Sequence, residues 1–281
     1  MDATSTAHVC GVCFRHCCLQ PGQVGFCRAR VGGPDAVVPE SFGRLTSVAM
    51  DPIEKKPLAF FRPGTKVLSV GSYGCNMRCP FCQNASIAQV GEKGASWRAY
   101  QPQDLVDMAL DCADIRCIGI AYTYNEPFTF LEFMRDCAQL AHENGLANVV
   151  VSNGMVAPDA LATVSPYLDA ANIDLKCFTE EGYRKLGGDL ETAKATITAL
   201  SQQGCHVEAT TLVVPGFNDN DEEIDALAAW LASVDPATPL HLTRFFPRYK
   251  MHDARPTPLS TLTRLQAVAK RHLKRVVLGN V

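Results

Sequence analysis

Short apolar segments alternate with longer amphipathic segments from residue 67 onward, and this order limits the fold more than any other feature of the chain. The apolar segments have the length and residue types of strands, and they lie at Val67–Val70, Cys117–Tyr124, Asn148–Ser152, Ala170–Leu175, Val207–Val214, Leu240–Phe246 and Arg275–Leu278. Helical patterns lie at Pro102–Ala113, Phe128–Asn144, Pro158–Tyr167, Leu190–Gln203, Asp221–Val234 and Leu259–Leu273. Six strand-then-helix units predict an α/β fold with a parallel sheet, curved into a partial (β/α)6 barrel. We expect catalytic residues at the carboxyl ends of the strands.

The chain before residue 67 lacks this periodicity. Its first part is dense in cysteine and glycine, and the following stretch leads into the first barrel strand. We therefore predict three parts: a Cys-rich metal-binding segment over 1–38, a lead-in segment over 39–66, and the barrel over 67–281.

Composition narrows the classes of function. The chain has 281 residues, of which 47% are hydrophobic and 20% charged, with a formal net charge of −3. This charge offers no electrostatic footprint for nucleic acid or for a membrane surface, and the apolar runs are too short to span a bilayer. The amino terminus lacks the basic and apolar regions of a signal peptide. Thirteen cysteines, an odd number, indicate metal ligands and buried free thiols in a reducing cytoplasm rather than a disulfide framework.

Three cysteines with the spacing C-x3-C-x2-C follow the first barrel strand. They are Cys75, Cys79 and Cys82, within residues 74–84. Three thiolates can hold three corners of a [4Fe–4S] cluster and leave one iron open for chemistry. Structural zinc needs a fourth ligand, and the next cysteine, Cys112, lies downstream in a predicted helix. The spacing therefore favours a catalytic cluster over a zinc site.

This cysteine loop, with Phe81 before its third cysteine, resembles the signature of the radical S-adenosylmethionine (SAM) superfamily. The resemblance implies that SAM binds the open iron and is cleaved by one electron to a 5′-deoxyadenosyl radical that abstracts hydrogen. It also implies an oxidoreductase that takes electrons from a flavodoxin- or ferredoxin-type donor. Further motifs at 51–57, 123–127, 172–176 and 246–251 resemble the AmmeMemoRadiSam-system enzymes, relatives of the pyruvate formate-lyase activating enzymes.

The resemblance implies SAM contacts at the other strand ends. Glu126 stands where the superfamily has the glutamate of a Gly-Gly-Glu motif, with Tyr124 and Asn125 in place of the glycines. Its carboxylate would accept hydrogen bonds from the methionyl ammonium, although an acid at that position also suits a helix amino terminus.

The remaining strand ends carry further cofactor-binding candidates. Lys176 would pair with the SAM carboxylate, and Asp174, on the same face of the strand, would bind ribose or a cation, although a structural ion pair is the alternative. The other candidates are Phe81, Asn125, Ser152, Asn153, His241 and Arg244. His241 and Arg244 lie on opposite faces by parity, so we expect only one of them to reach the nucleoside.

The amino-terminal cysteines predict a second metal site. Cys10, Cys13 and Cys27 would be joined by Cys17 or Cys18. A zinc knuckle and an auxiliary [4Fe–4S] cluster both fit four thiolates, and free thiols in a flexible tail are the alternative. So small a segment generally needs a metal to stabilise it.

Together these features predict a radical SAM enzyme that abstracts hydrogen from a protein or peptide substrate, in the manner of glycyl-radical activases. The alternatives are modification of a small molecule or of a Memo-system partner, and a non-catalytic zinc-binding interaction module.

Overall fold

The structure, a computed structural model, describes residues 6–281 and contains the strand–helix alternation that the sequence predicts. The strands are β1 (His8–Val9), β2 (Cys18–Leu19), β3 (Arg30–Gly32), β4 (Val37–Pro39), β5 (Arg44–Leu45), β6 (Ser47–Pro52), β7 (Lys66–Gly71), β8 (Arg98–Ala99), β9 (Cys117–Tyr122), β10 (Ala147–Ser152), β11 (Ala170–Asp174), β12 (His206–Val213), β13 (Leu240–Arg244) and β14 (Val276–Gly279). The α-helices are α1 (Ala85–Ala88), α2 (Pro102–Leu110), α3 (Leu131–Glu143), α4 (Pro158–Ala162), α5 (Glu180–Lys185), α6 (Leu190–Gln202), α7 (Asp221–Val234) and α8 (Leu259–Ala269). Single 3-10 turns lie at Ile53–Lys55, Glu92–Gly94, Ala113–Ile115, Pro127–Phe130, Ser165–Tyr167 and Tyr249–Met251.

Eight strands form the central sheet, in the order β14-β13-β12-β11-β10-β9-β7-β6. The seven strands from β7 to β14 in this sheet pair in parallel, as predicted. The lead-in segment adds β6, which pairs antiparallel with β7 and which the sequence did not predict. The two outer strands, β14 and β6, do not pair with each other, so the sheet stays open, as expected for a partial barrel.

Several predicted elements end early for identifiable reasons. The helix predicted over Pro158–Tyr167 breaks into α4 and a 3-10 turn, because Pro166 lacks the N–H that a continuous helix needs. The strand predicted to reach Tyr124 stops at Tyr122, since Tyr124 adopts a left-handed backbone with φ of +71°. The short helices α1 and α5 lie in loops and were not predicted.

The two faces of the sheet are covered differently. One face packs against the helices, and Val70, Tyr122, Val150 and Ile173 belong to that large apolar core. The other face, which we call the inner face, carries Val67, Ala121, Val149 and Ala170, packed against Ile53 and Leu58 of the lead-in segment. Near the amino-terminal ends of its strands, the inner face is therefore covered by residues of the lead-in segment.

The amino-terminal segment forms two small hairpins, β1–β2 and β3–β4. Its Cys10 and Val12 are buried in the same apolar core as the barrel helices, so the segment is packed onto the barrel. Among residues 6–281, no helix is both long enough and apolar enough to cross a membrane.

Candidate functional site

The loop that carries Cys75, Cys79 and Cys82 begins directly after β7, at the carboxyl end of the sheet. Asn125, which follows β9, holds the start of this loop. Its side-chain oxygen accepts from the Ser72 N–H at 2.9 Å, and its Nδ2 donates to the carbonyls of Tyr73 and Gly74 at 3.0 and 3.1 Å. Both polar atoms of this amide therefore have partners in the loop, so Asn125 positions the loop.

The three thiols are close enough to one another to interact electrostatically. Burial raises the pKa of Cys79 to about 11, and burial together with the nearby Glu126 raises the pKa of Cys75. The Cys75 sulfur also accepts hydrogen bonds from the Met77 N–H at 3.4 Å and from Asn153 Nδ2 at 3.5 Å. Thiols in this state release protons when they bind metal, and three of them in one loop suit the [4Fe–4S] donor set.

Glu126 is the buried carboxylate of the site, with 2% of its surface exposed. It accepts hydrogen bonds from Ser152 Oγ at 2.8 Å, from the Asn153 N–H at 2.9 Å and from the Phe128 N–H at 3.2 Å. Burial raises its pKa to about 7 although these three donors favour the charged form, and Asp174 adds repulsion. The Phe128 contact caps the 3-10 turn before α3, so Glu126 also serves the structural role expected of an acid there.

Ser152 and Asn153, at the end of β10, connect Glu126 to the cysteine loop. Ser152 donates to Glu126, while Asn153 donates from its backbone to Glu126 and from its side chain to Cys75 and to Asn76 Oδ1. Both predicted residues therefore lie in the site and orient its carboxylate and one of its thiols.

Phe81 is 5% exposed and packs against Phe217, with ring centroids 6.0 Å apart. The carbonyl of Pro80, which directly precedes Phe81, accepts a hydrogen bond from the Lys250 N–H at 3.0 Å. The segment after β13 thus lies against the cysteine loop.

Asp174 and Lys176 form an ion pair beside the cysteines. Lys176 Nζ lies 2.6 Å from Asp174 Oδ2. Burial alone would lower the pKa of Lys176, but Asp174 and the Cys79 thiol outweigh burial and hold that pKa above its usual value. The lysine is therefore a fixed positive charge next to the loop.

A polar row crosses the inner face at the level of Asp174. Register pairs Asp174 with Thr210 of β12 and Thr210 with His241 of β13. The Thr210 hydroxyl is buried without a hydrogen-bond partner, and His241 Nε2 lies 2.5 Å from Glu208 Oε2. His241 therefore shares a row with Asp174.

Arg244 lies outside this row. Its Nε donates to the Thr257 carbonyl at 2.8 Å and its guanidinium stacks over Phe246 at 4.9 Å. His241 and Arg244 therefore lie on opposite faces of β13, as predicted, and the structure does not bring Arg244 into the row.

Sequence reasoning missed a second polar cluster on the inner face. Asp51 bonds to Lys56 Nζ at 2.8 Å and accepts from the Tyr124 hydroxyl at 2.6 Å, and Lys56 lies over the Tyr124 ring at 4.6 Å. Burial would raise the pKa of Asp51, but these donors hold it well below its usual value. The motif at 51–57 contains Asp51 and Lys56, but nothing in their spacing indicates that they face Tyr124.

Four of the five amino-terminal cysteines surround one small cavity. Cys10, Cys13, Cys17 and Cys27 line it, whereas Cys18 is exposed on β2. The geometry therefore distinguishes Cys17 from Cys18 where spacing could not.

Comparison with known proteins adds independent information. A sequence model described as the radical SAM superfamily matches residues 69–231. An uncharacterized protein of Methanocaldococcus jannaschii is 37% identical over 274 residues, covering 97% of this chain and 81% of that protein. Another protein of that organism, which bears the provisional name of a glycyl-radical enzyme activating enzyme, is 23% identical over 222 residues, 74% of this chain and 87% of that protein. The crystal structure of Streptococcus suis SuiB bound to its precursor peptide SuiA has a similar fold. Its TM-score is 0.57 at 11% identity, and the match covers 76% of this chain and 48% of that chain.

Proposed function

Because the chain belongs to the radical SAM superfamily, we propose that it abstracts a hydrogen atom from a protein or peptide substrate, in the manner of glycyl-radical activating enzymes. The superfamily uses a [4Fe–4S] cluster and SAM, and these groups, when bound, supply a 5′-deoxyadenosyl radical by one-electron cleavage of SAM. One observation carries the proposal: Asn153, after the carboxyl end of β10, donates from its backbone to the buried carboxylate of Glu126 and from its side chain to the Cys75 sulfur.

The residues of the site fit these groups. Cys75, Cys79 and Cys82 would hold three irons and leave the fourth for SAM. Glu126 would accept hydrogen bonds from the methionyl ammonium, a charge-assisted contact. Since Ser152, Asn153 and Phe128 already fix this carboxylate, it would bind without rearranging.

Lys176 and Asp174 would hold the rest of SAM. The Lys176 ammonium would bind the methionyl carboxylate, and the half-exposed Asp174 carboxylate would accept from ribose hydroxyls. The unpartnered Thr210 hydroxyl and the neighbouring His241 continue the same row, so they are suited to the nucleoside.

A protein or peptide substrate suits the open sheet. The gap between β14 and β6 leaves one side of the inner face without strands, which admits a segment of another chain. The provisional name of one relative, a glycyl-radical enzyme activating enzyme, supports this class, and so does the precursor peptide bound to the structural neighbour SuiB.

The first test is the cleavage reaction. Full-length protein reconstituted with iron and sulfide without oxygen should cleave SAM to 5′-deoxyadenosine and methionine, with dithionite as the electron donor. Cys79→Ala should lose this activity, while Cys112→Ala, which changes a cysteine at the end of α2 outside the site, should keep it. Protein that binds no iron, or that cleaves no SAM, would contradict the assignment.

The second test concerns the substrate. Candidate protein partners labelled with deuterium at glycine Cα should transfer deuterium to 5′-deoxyadenosine and show an organic radical in electron paramagnetic resonance (EPR). Transfer from a small molecule with none from any protein would replace the proposed substrate class.

A further inference from the structure

We propose that Cys10, Cys13, Cys17 and Cys27 hold a second [4Fe–4S] cluster that passes single electrons to the cluster of the Cys75 loop. The relay rests on the radical SAM function proposed above, whereas the second cluster does not. Four cysteines complete the ligation of such a cluster and leave no iron open, which suits electron transfer rather than substrate binding.

The four thiols share one cavity. Cys10, Cys13, Cys17 and Cys27 line it together with Arg30, and Cys18 does not. Backbone geometry brings the ligands together, because the Cys10 N–H donates to the Cys17 carbonyl at 2.9 Å. The backbone fold of the segment therefore forms the cavity and lines it with the thiol donors that iron–sulfur clusters require.

A buried cation without a full set of partners marks the same cavity. Arg30 is 4% exposed, and its terminal nitrogens bind Glu132 at 2.7 and 2.6 Å. Its Nε has no hydrogen-bond partner, and Arg30 lies in electrostatic range of Cys10 and Cys27. A cluster sulfur or a ligating thiolate would accept that hydrogen, and such hydrogen bonds tune the reduction potential of a cluster.

The two cysteine groups are in backbone contact. The Cys75 N–H donates to the Cys27 carbonyl at 3.0 Å. Gly74 has φ of +83°, and a Cβ there would lie 2.4 Å from the same carbonyl. A glycine thus permits an approach that no other residue would allow, and it places the two proposed clusters next to each other.

Two arginines lie between the groups. Arg15 donates to the Asn76 carbonyl at 3.1 Å and is in electrostatic range of Cys13, Cys17 and Cys75. Arg78 donates to the Cys75 carbonyl at 2.8 Å and to the Phe26 carbonyl. Their positive charge favours adding an electron to either cluster. A reduced flavodoxin- or ferredoxin-type donor would give one electron to the second cluster, which would pass it to the first without a proton.

The experiment compares wild type, Cys13→Ala/Cys17→Ala and the control Cys18→Ala, each full-length and reconstituted without oxygen. Wild type and the control should contain about eight irons and eight sulfides per chain, and the double variant about four. Reduced wild type should show two EPR-active clusters and the double variant one. With reduced flavodoxin as donor, the remaining cluster of the double variant should be reduced at least tenfold more slowly than in the control.

Several outcomes would overturn the proposal. About four irons in wild type itself would exclude a second cluster whether or not the variants fold, and one zinc per chain lost in the double variant would identify a knuckle instead. If the double variant loses four irons but flavodoxin reduces its remaining cluster at an unchanged rate, the proposed electron relay is refuted. Failure of wild type to cleave SAM while it holds eight irons would refute the proposed function and leave the second cluster standing.

Discussion

Replacing Glu126 by glutamine separates its proposed role in SAM binding from its role in the fold. Glu126→Gln keeps the shape of the side chain, and Oε1 can still accept from Ser152 and Phe128. Its new amide group would face the Asn153 N–H, which now donates to Oε2 at 2.9 Å. The variant therefore loses the charge and one hydrogen bond, while the cap of the 3-10 turn survives.

The expected change in stability is small because two effects oppose each other. A pKa raised from 4.5 to about 7 means that holding the carboxylate charged costs the fold about 3 kcal/mol, and glutamine removes that cost. An unsatisfied Asn153 N–H costs roughly 1–3 kcal/mol. The melting temperature of Glu126→Gln should therefore stay close to that of wild type.

The expected change in SAM binding is large. A hydrogen bond to a charged group contributes about 1.5–3 kcal/mol, which corresponds to a rise in Kd of roughly 10- to 150-fold. In wild type, the carboxyl of Glu126 becomes neutral below pH 7 and loses its attraction for an ammonium. The wild-type Kd should therefore rise by up to about tenfold per pH unit between pH 7 and 5.5, and Glu126→Gln should lack this component.

Isothermal titration calorimetry of SAM with anaerobically reconstituted protein measures both effects, with iron content as the check on the cluster. Glu143→Gln, on the exposed end of α3, is the matched control and should bind like wild type. A Kd for Glu126→Gln within twofold of wild type at pH 7.5, or the same pH dependence in both, would refute the role of Glu126 as the ammonium acceptor.

Three further results are expected. Gly74→Ala should lower the free energy of unfolding by at least about 2 kcal/mol in urea titrations, since its Cβ would meet the Cys27 carbonyl. Gly145→Ala, with a similar φ but open space, should lose less, and equal losses would contradict the clash. Burial would raise the pKa of Glu208, but hydrogen bonds from two histidines and a backbone N–H hold that pKa at about 2. Glu208 should therefore contribute about 3 kcal/mol to the free energy of unfolding above pH 4.5, and this contribution should be lost as the pH falls towards 2. Urea titrations in which Glu208→Gln loses the same stability at acid pH as wild type would disprove this. Lys176→Met should raise the Kd for SAM about tenfold at unchanged iron content, and loss of iron as well would show that the lysine supports the cluster instead.

The regular part of the fold could be predicted because each barrel strand and its helix carry their own periodic signal. The strand β6 could not, since Ser47–Pro52 is half-buried and mixed in composition, and only its pairing with β7 makes it a strand. Tyr124 is a similar case. A bulky residue gives no sign of φ at +71°, and its contacts with Asp51 and Lys56 join segments 73 and 68 residues apart.

Motifs located the candidate site but did not assign the contacts within it. Asn125 stands in a motif position associated with SAM, yet its amide is used by the backbone of Ser72 to Gly74. The strand end at Arg244 resembled the others, but its side chain bonds to Thr257. Both outcomes depend on which backbone groups lack partners in the folded chain, and spacing along the sequence carries no information about that.

The contact of Gly74 and Cys75 with the Cys27 carbonyl also determines how far the barrel depends on the amino-terminal segment. A truncated chain that starts at residue 39 would keep every strand of the barrel and all three cysteines of the 75–82 loop. It would remove the acceptor of the Cys75 N–H and the Arg15 side chain that donates to the Asn76 carbonyl. Hydrogen exchange in that loop should accelerate as a result. The proposed catalytic loop thus owes its order to two stretches of chain about fifty residues apart, and a cut between them would leave the barrel with a less ordered cysteine loop.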